Sequence, residues 1–364
     1  MPGRVALFGA TGYTGRLVAE ALVARGQRPL LAGRDAQRLT DLSGELGGGL
    51  DTAVADVSRP ETVLALVEAG DVLLSTVGPF ARWGEPAVEA SIASSAAYLD
   101  STGEPAFIRR VFEQFGPRAE AAEVGLVTAF GYDWVPGNLA GALALRESGE
   151  AAARVDLGYF MTGTGGMSGG TRASLAGAML EPTFSWRRGI RTERGAARVR
   201  GFDVAGRRRQ GISVGSSEHF ALPRLHPGLD EVNVYLGWFG GASRAMQAFS
   251  AFGAAATRVP GVRAGFDSLT GRFVKGSTGG PDAEQRSRGG SHIVALAYDR
   301  GGMQLSEVHV AGVDGYDFTG RILAWGASQA LEPGIRGSGA LGPVDAFGLD
   351  ELEAGCAEAG IARV

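Results

Sequence analysis

Short apolar runs alternate with amphipathic stretches over the first third of the chain. The apolar runs predict strands at residues 5–8, 30–32, 53–55, 72–77, 98–99 and 126–130. The spacing of apolar residues between them predicts helices at 15–25, 35–46, 59–69, 85–96 and 105–123. It assigns Leu17, Ala21 and Leu22 to the buried face of the first helix, and a capping box over 58–61 predicts the start of the third. Short strands that alternate with helices are typical of a parallel sheet covered on both faces.

The pattern changes after residue 135. Runs typical of strands lie at 154–161, 231–238, 291–298 and 304–313, separated by glycine-rich loops and by an apolar helix near 243–258. This part of the chain therefore predicts a second domain of the α+β class with a mixed sheet. The overall fold class is α/β in the first domain and α+β in the second.

Two histidines lie on the last two of these predicted strands. If the strands form a hairpin that turns at Arg300 and Gly301, His292 pairs directly with His309. Two facing imidazoles can bind a metal or titrate together, whereas the default interpretation is a polar cross-strand pair. The sequence predicts no metal site from this pair alone.

Composition limits the class of protein. The 364 residues carry a formal net charge of −4, and 45% of them are hydrophobic, which is typical of a globular protein with a sizeable core. The single cysteine, Cys356, excludes an internal disulfide and a cysteine-based zinc site. The sequence contains no signal peptide and no apolar stretch long enough to span a membrane, so we expect a cytoplasmic protein.

A glycine-rich turn connects the first strand to the first helix. Gly9 permits a sharp turn, Gly12 lets the backbone approach a pyrophosphate, and Gly15 lets the helix pack closely on the sheet. The N-terminus of the helix offers backbone N–H groups and a positive dipole end to an anion. The turn therefore predicts a dinucleotide site, and Thr11, Tyr13 and Thr14 belong to the same loop.

The end of the second strand distinguishes the two nicotinamide dinucleotides. Arg34 follows this strand and Arg38 lies one helical turn later, so two guanidinium groups are available for the 2′-phosphate of NADP(H). The alternative is that Asp35 binds the ribose diol of NAD while Arg34 points to solvent. The same edge of the sheet adds Asp56 near the adenine, and Val77, Gly78 and Pro79 near the nicotinamide.

The only lysine, Lys275, removes two kinds of mechanism. No tyrosine is followed four residues later by a lysine, which excludes a lysine-assisted tyrosine acid and a lysine Schiff base in the first domain. The candidate proton donors are Tyr132 and Asp133, just after the sixth strand, and Asp100, just after the fifth. Tyr132 is equally well explained by packing, and Asp133 by capping the helix that starts near residue 136.

Two segments of the second domain are candidates for recognition. Ser168, Thr171 and Arg172 lie on a second glycine-rich turn and are candidate contacts for an anionic part of the substrate. Residues 187–209 carry nine arginines against Glu193 and Asp203, a charge that suits an acidic carrier protein, a phosphopantetheine arm or an anionic membrane surface. The default interpretation of this segment is a solvated basic loop. The absence of interleaved aromatic residues argues against nucleic acid.

The ordered motifs resemble the saccharopine dehydrogenase-like oxidoreductase family over nearly the whole chain. They are GATGYTG at 9–15, AGR at 32–34, GPFARWGEPAVEAS at 78–91, YLDSTGE at 98–104, TAFGYDWVPGNLAG at 128–141, SGGTRASL at 168–175, GPDAEQR at 280–286 and GPVDAFGLDELEAG at 342–355. The resemblance implies a Rossmann domain, a second α+β domain and hydride transfer to an imine or an activated double bond. The sequence departs from the family pattern at Trp134, which introduces an indole and is therefore a candidate substrate contact.

These observations give one prediction for the chain. Residues 1–135 form the Rossmann domain, 136–330 form the substrate domain, and 331–364 return to the Rossmann domain, as the resemblance implies. The predicted activity is NADP(H)-dependent reduction of a C=N bond or of a conjugated C=C bond, in a small or carrier-linked metabolite. A dinucleotide-binding sensor or scaffold without turnover is the alternative. A homodimer is the general expectation for such an enzyme.

Overall fold

The computed structural model of the protein describes residues 3–163, 183–193, 197–237 and 279–364. The chain divides into two compact units. Unit 1 comprises residues 1–103, 107–135 and 315–360, and unit 2 comprises residues 104–106, 136–314 and 361–364. The chain thus returns to unit 1 at Gly315, whereas the boundary suggested by the sequence lies after residue 330.

Strands and helices alternate from the first strand to the start of unit 2. The strands are β1 (Val5–Phe8), β2 (Leu30–Gly33), β3 (Thr52–Val54), β4 (Val72–Ser75), β5 (Ala97–Asp100) and β6 (Gly125–Val127). The helices are α1 (Tyr13–Ala24), α2 (Ala36–Glu45), α3 (Pro60–Leu64), α4 (Phe80–Trp83), α5 (Glu85–Ser94), α6 (Pro105–Arg110) and α7 (Gly116–Ala121). A π-helical turn at Val111–Phe115 joins α6 to α7.

The remaining elements build unit 2 and then complete unit 1. The strands are β7 (Arg154–Gly163), β8 (Thr183–Arg187), β9 (Ile190–Glu193), β10 (Val199–Val204), β11 (Arg207–Ser213), β12 (Glu231–Leu236), β13 (Gly289–Tyr298), β14 (Gln304–Gly312), β15 (Gly339–Ala340) and β16 (Ile361–Arg363). The helices are α8 (Val135–Ser148), α9 (Glu218–Leu225), α10 (Ala283–Ser287), α11 (Gly315–Gln329), α12 (Pro343–Phe347) and α13 (Leu349–Ala359).

Unit 1 contains a parallel sheet of seven strands in the order β15-β6-β5-β4-β1-β2-β3. All residues of β1, β2 and β4 are buried, as expected for strands covered by helices on both faces. The strand order steps outwards from β1 in both directions, which creates the switch point at which such sheets bind ligands. The fold class predicted from the sequence is confirmed in both of its parts.

Two local predictions for unit 1 are wrong. The Ser58 hydroxyl does not cap α3, because it donates to Asp56 instead, and α3 starts at Pro60 without a side-chain cap. The buried residues of α1 are Gly15, Val18, Ala19 and Leu22, so the prediction is right for Leu22 and wrong for Leu17 and Ala21. Leu17 lies against α11 instead, where a Cβ on Gly320 would be 3.1 Å from the Cβ of Leu17.

Unit 2 contains a mixed sheet of nine strands. Seven of them lie in the order β10-β11-β12-β7-β13-β14-β16, and β8 pairs with β12 and with β9. The central pair of β12 and β7 is parallel, and the other pairs are antiparallel. One face carries an apolar cluster of Phe160, Phe202, Val204, Tyr235, Val294, Leu296 and Tyr298.

The predicted direct pairing of His292 with His309 is wrong by two residues. His292 lies opposite Ala311 and Val294 lies opposite His309, because the β13–β14 connection is wider than a two-residue turn and a bulge follows Ala297. The two imidazoles are diagonal neighbours on one face and still meet, with His292 Nε2 2.8 Å from His309 Nδ1. His309 Nε2 lies 2.8 Å from Glu307, so a hydrogen-bonded chain replaces the direct pair.

The arginine-rich segment is folded into strands where the structure describes it. Instead of a solvated loop, residues 183–193 and 199–213 form the hairpin β8–β9 and the hairpin β10–β11. Several of the arginines reach carboxylates distant in sequence, such as Arg188 with Asp230, just before β12, and Arg200 with Asp156 on β7. Their charge is therefore partly compensated.

Among the described residues, no helix combines the length and the apolar character required to cross a membrane.

Candidate functional site

The candidate residues of unit 1 collect at one edge of its sheet. Because the strands are parallel, their carboxyl ends meet at the same edge, and the loops that follow them are neighbours. These loops carry Gly9–Gly15 after β1, Arg34 after β2, Asp56 after β3, Val77–Pro79 after β4, Asp100 and its neighbours after β5, and Tyr132–Trp134 after β6. The structure thus places every predicted dinucleotide contact and every predicted proton donor at this edge, while their roles stay predictions.

The glycine turn has the geometry that close approach of a ligand requires. Gly9 has φ +93°, and a Cβ there would lie 2.6 Å from Thr76 Oγ1. A Cβ at Gly15 would lie 2.1 Å from the carbonyl oxygen of Gly9. Gly12 is the N-cap of α1, where no side chain caps the helix and no acidic residue occupies the first turn. The open helix end fits a dinucleotide diphosphate.

The loop after β4 is fastened to the glycine turn. Thr76 Oγ1 lies 3.2 Å from the carbonyl oxygen of Gly9, and the backbone N–H of Val77 donates to Ser75 Oγ at 3.4 Å. The Gly78–Pro79 peptide bond is cis. Thr76 was not singled out by the sequence, although its position at the end of a buried strand is the signal that identifies it.

Asp35 is the N-cap of α2. Its carboxylate caps α2 by accepting the backbone N–H of Arg38 at 3.1 Å. The guanidinium of Arg38 donates to the carbonyl oxygen of Thr11 at 3.1 Å, which brings it to the glycine turn. This arrangement uses the acid for local structure and leaves the positive groups at the site.

A further arginine adjoins this corner. Hydrogen bonds from the backbone and hydroxyl of Ser58 lower the pKa of Asp56, and the charges of Arg34 and Arg59 lower it further. Asp56 therefore lies within the electrostatic reach of both arginines. Arg59 was missed in the sequence because it is the first residue of the predicted helix 59–69 and does not follow the end of a strand.

Asp133 is the residue whose properties are most perturbed at this edge. The side chain is partly exposed, but its Oδ1 is enclosed and has no hydrogen-bond partner among the described residues. Burial raises the pKa of Asp133 to about 7, and no cation in the described part of the chain offsets this effect. A Cβ at Gly103 would lie 2.8 Å from Asp133 Oδ2, so only glycine leaves room for the carboxyl group.

Asp100 holds together the two loops that flank Asp133. Its Oδ1 accepts the backbone N–H groups of Ala129 at 2.8 Å and Thr102 at 2.9 Å, and its Oδ2 accepts the Thr128 hydroxyl at 2.7 Å. The N–H of Trp134 in turn donates to the carbonyl oxygen of Ala129 at 3.0 Å. Burial raises the pKa of Asp100 to about 6 against these hydrogen bonds. Its contacts make Asp100 a positioning residue rather than a free acid.

The two aromatic candidates are buried. Tyr132 packs against Gly315, where a Cβ would lie 2.9 Å from the ring, and its backbone N–H donates to Thr319 Oγ1 at 3.0 Å. Trp134 is 1% exposed and ranks among the largest fully buried side chains. Both positions agree with packing, so proton donation by Tyr132 and substrate contact by Trp134 stay predictions.

Three predicted contacts lie outside the described residues, namely Ser168, Thr171 and Arg172. Within the residues that the structure does describe, no group of three or more histidine, cysteine, aspartate or glutamate side chains is placed to hold a metal ion.

Comparison with known proteins identifies the nucleotide unit. A family model described as NAD(P)H-binding matches residues 9–108, which run from the glycine turn into α6. The match includes the loops after the first five strands of unit 1. This part of the chain is an NAD(P)H-binding domain.

Curated relatives match part of the chain. A protein of Mycobacterium tuberculosis named as a trans-acting enoyl reductase is 38% identical over 184 residues, which cover 47% of this chain and 43% of that protein. The trans-acting enoyl reductase of Mycobacterium leprae is 38% identical over 140 residues, or 37% of this chain and 34% of that protein. The matches thus span less than half the length of these relatives.

Solved structures share the fold. Saccharopine dehydrogenase (L-Glu forming) of Saccharomyces cerevisiae matches with a TM-score of 0.57 and 12% identity, over 100% of this chain and 99% of that one. Homospermidine synthase of Legionella pneumophila matches with a TM-score of 0.65 and 9% identity, over 100% and 92%. At the level of the fold, the resemblance to saccharopine dehydrogenase is confirmed.

Proposed function

We propose that the protein is an NADPH-dependent reductase that adds a hydride and a proton across the conjugated C=C bond of an enoyl thioester. The observation that carries the proposal is Asp133, an enclosed carboxyl group with a pKa of about 7 at the same sheet edge as the glycine turn. Such a group is half protonated at neutral pH and is able to donate. The relatives named trans-acting enoyl reductase support the choice of bond and a substrate held by a partner protein.

NADPH rather than NADH is proposed from the charges at the end of β2. Arg34, Arg38 and Arg59 lie around this corner, and the carboxylate of Asp35 is engaged as a helix cap. Guanidinium groups bind a phosphate dianion with paired hydrogen bonds, whereas a ribose diol requires an acid acceptor. The arrangement therefore favours the 2′-phosphate of NADPH.

The bound nicotinamide supplies the hydride, and the residues of this chain supply the rest. The turn Gly9–Gly15 and the N-terminus of α1 bind the diphosphate. Asp133 in its protonated form gives its proton to the α-carbon as the β-carbon accepts the hydride, and the resulting carboxylate regains a proton from water. Asp100 keeps the turn that carries Asp133 in place through the N–H of Ala129.

Turnover with a defined thioester tests the proposal. The purified protein is mixed with NADPH and a 2-enoyl N-acetylcysteamine thioester, and NADPH consumption is followed by absorbance. We expect turnover that Asp133→Asn reduces at least a hundredfold without loss of NADPH binding. Asp51→Asn, at an exposed aspartate of the same unit, is the matched control and retains the rate.

The other outcomes separate the alternatives. Reduction of a cyclic imine in place of the thioester would assign the C=N reaction. NADPH binding without turnover of a thioester, a carrier-linked thioester or an imine would support the alternative, a dinucleotide-binding sensor or scaffold. Failure to bind NADPH and NADH would contradict the reductase altogether.

A further inference from the structure

Four arginines converge on one face of the unit 2 sheet. Arg154 lies on β7, Arg187 on β8, Arg200 on β10, and Arg198 immediately precedes β10. We call these four residues the arginine cluster. Their side chains are 27–38% exposed, so a dissolved ion reaches them from solvent.

One carboxylate serves two members of the cluster. Asp156, which is fully buried, forms an ion pair with Arg200, and its Oδ2 lies 3.3 Å from Arg154 Nε. The guanidinium of Arg200 also donates to the Tyr298 hydroxyl at 2.7 Å. Arg154 and Arg200 therefore have internal partners that compensate much of their charge.

The other two members share a neutral acceptor. Asn233 Oδ1 accepts Arg187 Nη2 at 2.8 Å and Arg198 Nη1 at 3.0 Å, while its Nδ2 donates to Asp156 Oδ1 at 2.5 Å. Two guanidinium groups thus point at a single uncharged oxygen. Arginine stays protonated at all relevant pH values, so their mutual repulsion persists.

Among the described residues, the carboxylates near the arginine cluster do not balance its charge. Glu231 Oε2 lies 3.5 Å from Arg187, and Glu193 Oε1 lies 3.4 Å from Arg198, both longer than a charge-assisted hydrogen bond. With Asp156 these are three negative charges against four positive ones. Arg198 Nε is enclosed and has no acceptor in the described part of the chain. The guanidinium groups of the arginine cluster therefore carry an excess positive charge and are available to bind an anion.

We propose that the arginine cluster binds a small oxyanion, a phosphate or carboxylate group, through Arg187 and Arg198. Such groups match the planar guanidinium fork and supply the missing negative charge. The site lies entirely in unit 2 and does not depend on the proposed reductase activity.

Titration of the full-length protein with inorganic phosphate and with acetate, by calorimetry at constant ionic strength set with chloride, tests the proposal. We expect saturable binding of at least one of the two anions, weakened at least tenfold by Arg198→Gln and by Arg187→Gln. The tighter anion identifies the ligand group as phosphate or carboxylate. Arg208→Gln, in the same arginine-rich hairpin but paired with Asp203 at an exposed position, is the matched control and binds as the unaltered protein does.

Two results would overturn the site. One is the absence of saturable binding of either anion by the unaltered protein. The other is equal weakening by the cluster variants and the control, which would indicate only a general effect of net charge. Phosphate bound at the glycine turn of unit 1 would remain in all three variants, so it is distinguished from binding at the cluster. Use of two separate cluster variants keeps the test decisive if one of them does not fold.

Discussion

Replacing Asp133 with asparagine should make the protein more stable at high pH while abolishing reduction. In the folded protein burial raises the pKa of Asp133 from 3.8 to about 7. Below 3.8 the carboxyl is protonated in both the folded and the unfolded chain, so it creates no pH-dependent difference between the two proteins. Above 7 it is ionised in both, and the folded state alone bears the cost of an enclosed charge.

The size of the effect follows from the shift. Three pKa units at ~1.36 kcal/mol each correspond to about 4 kcal/mol. The free energy of unfolding of the Asp133→Asn variant, minus that of the unaltered protein, should therefore rise by about 4 kcal/mol from pH 4 to pH 8 and level off beyond. Other titrating groups are common to both proteins and cancel in the difference.

Urea unfolding at a series of pH values, followed by tryptophan fluorescence, measures this difference. Asp51→Asn controls for the chemistry of the substitution at an exposed position. A difference that stays constant within about 1 kcal/mol between pH 4 and pH 8 would refute the raised pKa, and with it the reason for regarding Asp133 as the proton donor.

Substitutions at three other positions probe the same edge. Asp100→Asn keeps an oxygen for the N–H of Ala129 and should change the rate of reduction less than tenfold. Asp100→Ala leaves buried donors unsatisfied and should lower the free energy of unfolding in urea by about 1–3 kcal/mol per donor. Equal losses of rate and of stability in the two variants would contradict the positioning role. Arg34→Ala should weaken NADPH by about 1.5–3 kcal/mol and leave NADH unchanged by calorimetry, while Arg28→Ala, just before the opposite end of β2, should alter neither. Gly15→Ala places a Cβ 2.1 Å from a backbone oxygen of the glycine turn, so it should abolish dinucleotide binding while circular dichroism still reports a folded chain. Normal NADPH affinity of this variant would show that the turn does not bind the diphosphate.

The parallel sheet was predictable because its signals are local. Each of the strands β1 to β6 is a short apolar run next to a helix, and the glycines of the turn are required by backbone geometry. The strand β15 was not predictable, because its two residues, Gly339 and Ala340, carry no pattern and pair only with β6. The predicted pairing of His292 with His309 was wrong because the length of the loop, rather than the pattern of the strands, determines which residues face each other.

The chemistry was less predictable than the fold. Sequence order places Asp133 after a strand, but its pKa depends on how completely the surroundings exclude water and cations. The arginine-rich segment looked like a solvated loop because its partners, Asp156 and Asn233, are distant in sequence and meet it only across the sheet. Long-range burial and pairing are what the sequence pattern does not encode.

The discontinuity of unit 1 has a consequence for the order of events at the ribosome. The first six strands of its sheet emerge early, but α11, β15 and the helices that follow are synthesised only after nearly all of unit 2. Until then β6 is an unpaired edge, and the surface later covered by α11 is open. The nascent chain therefore holds an incomplete nucleotide domain through most of translation, a state in which exposed strand edges favour association and chaperone engagement.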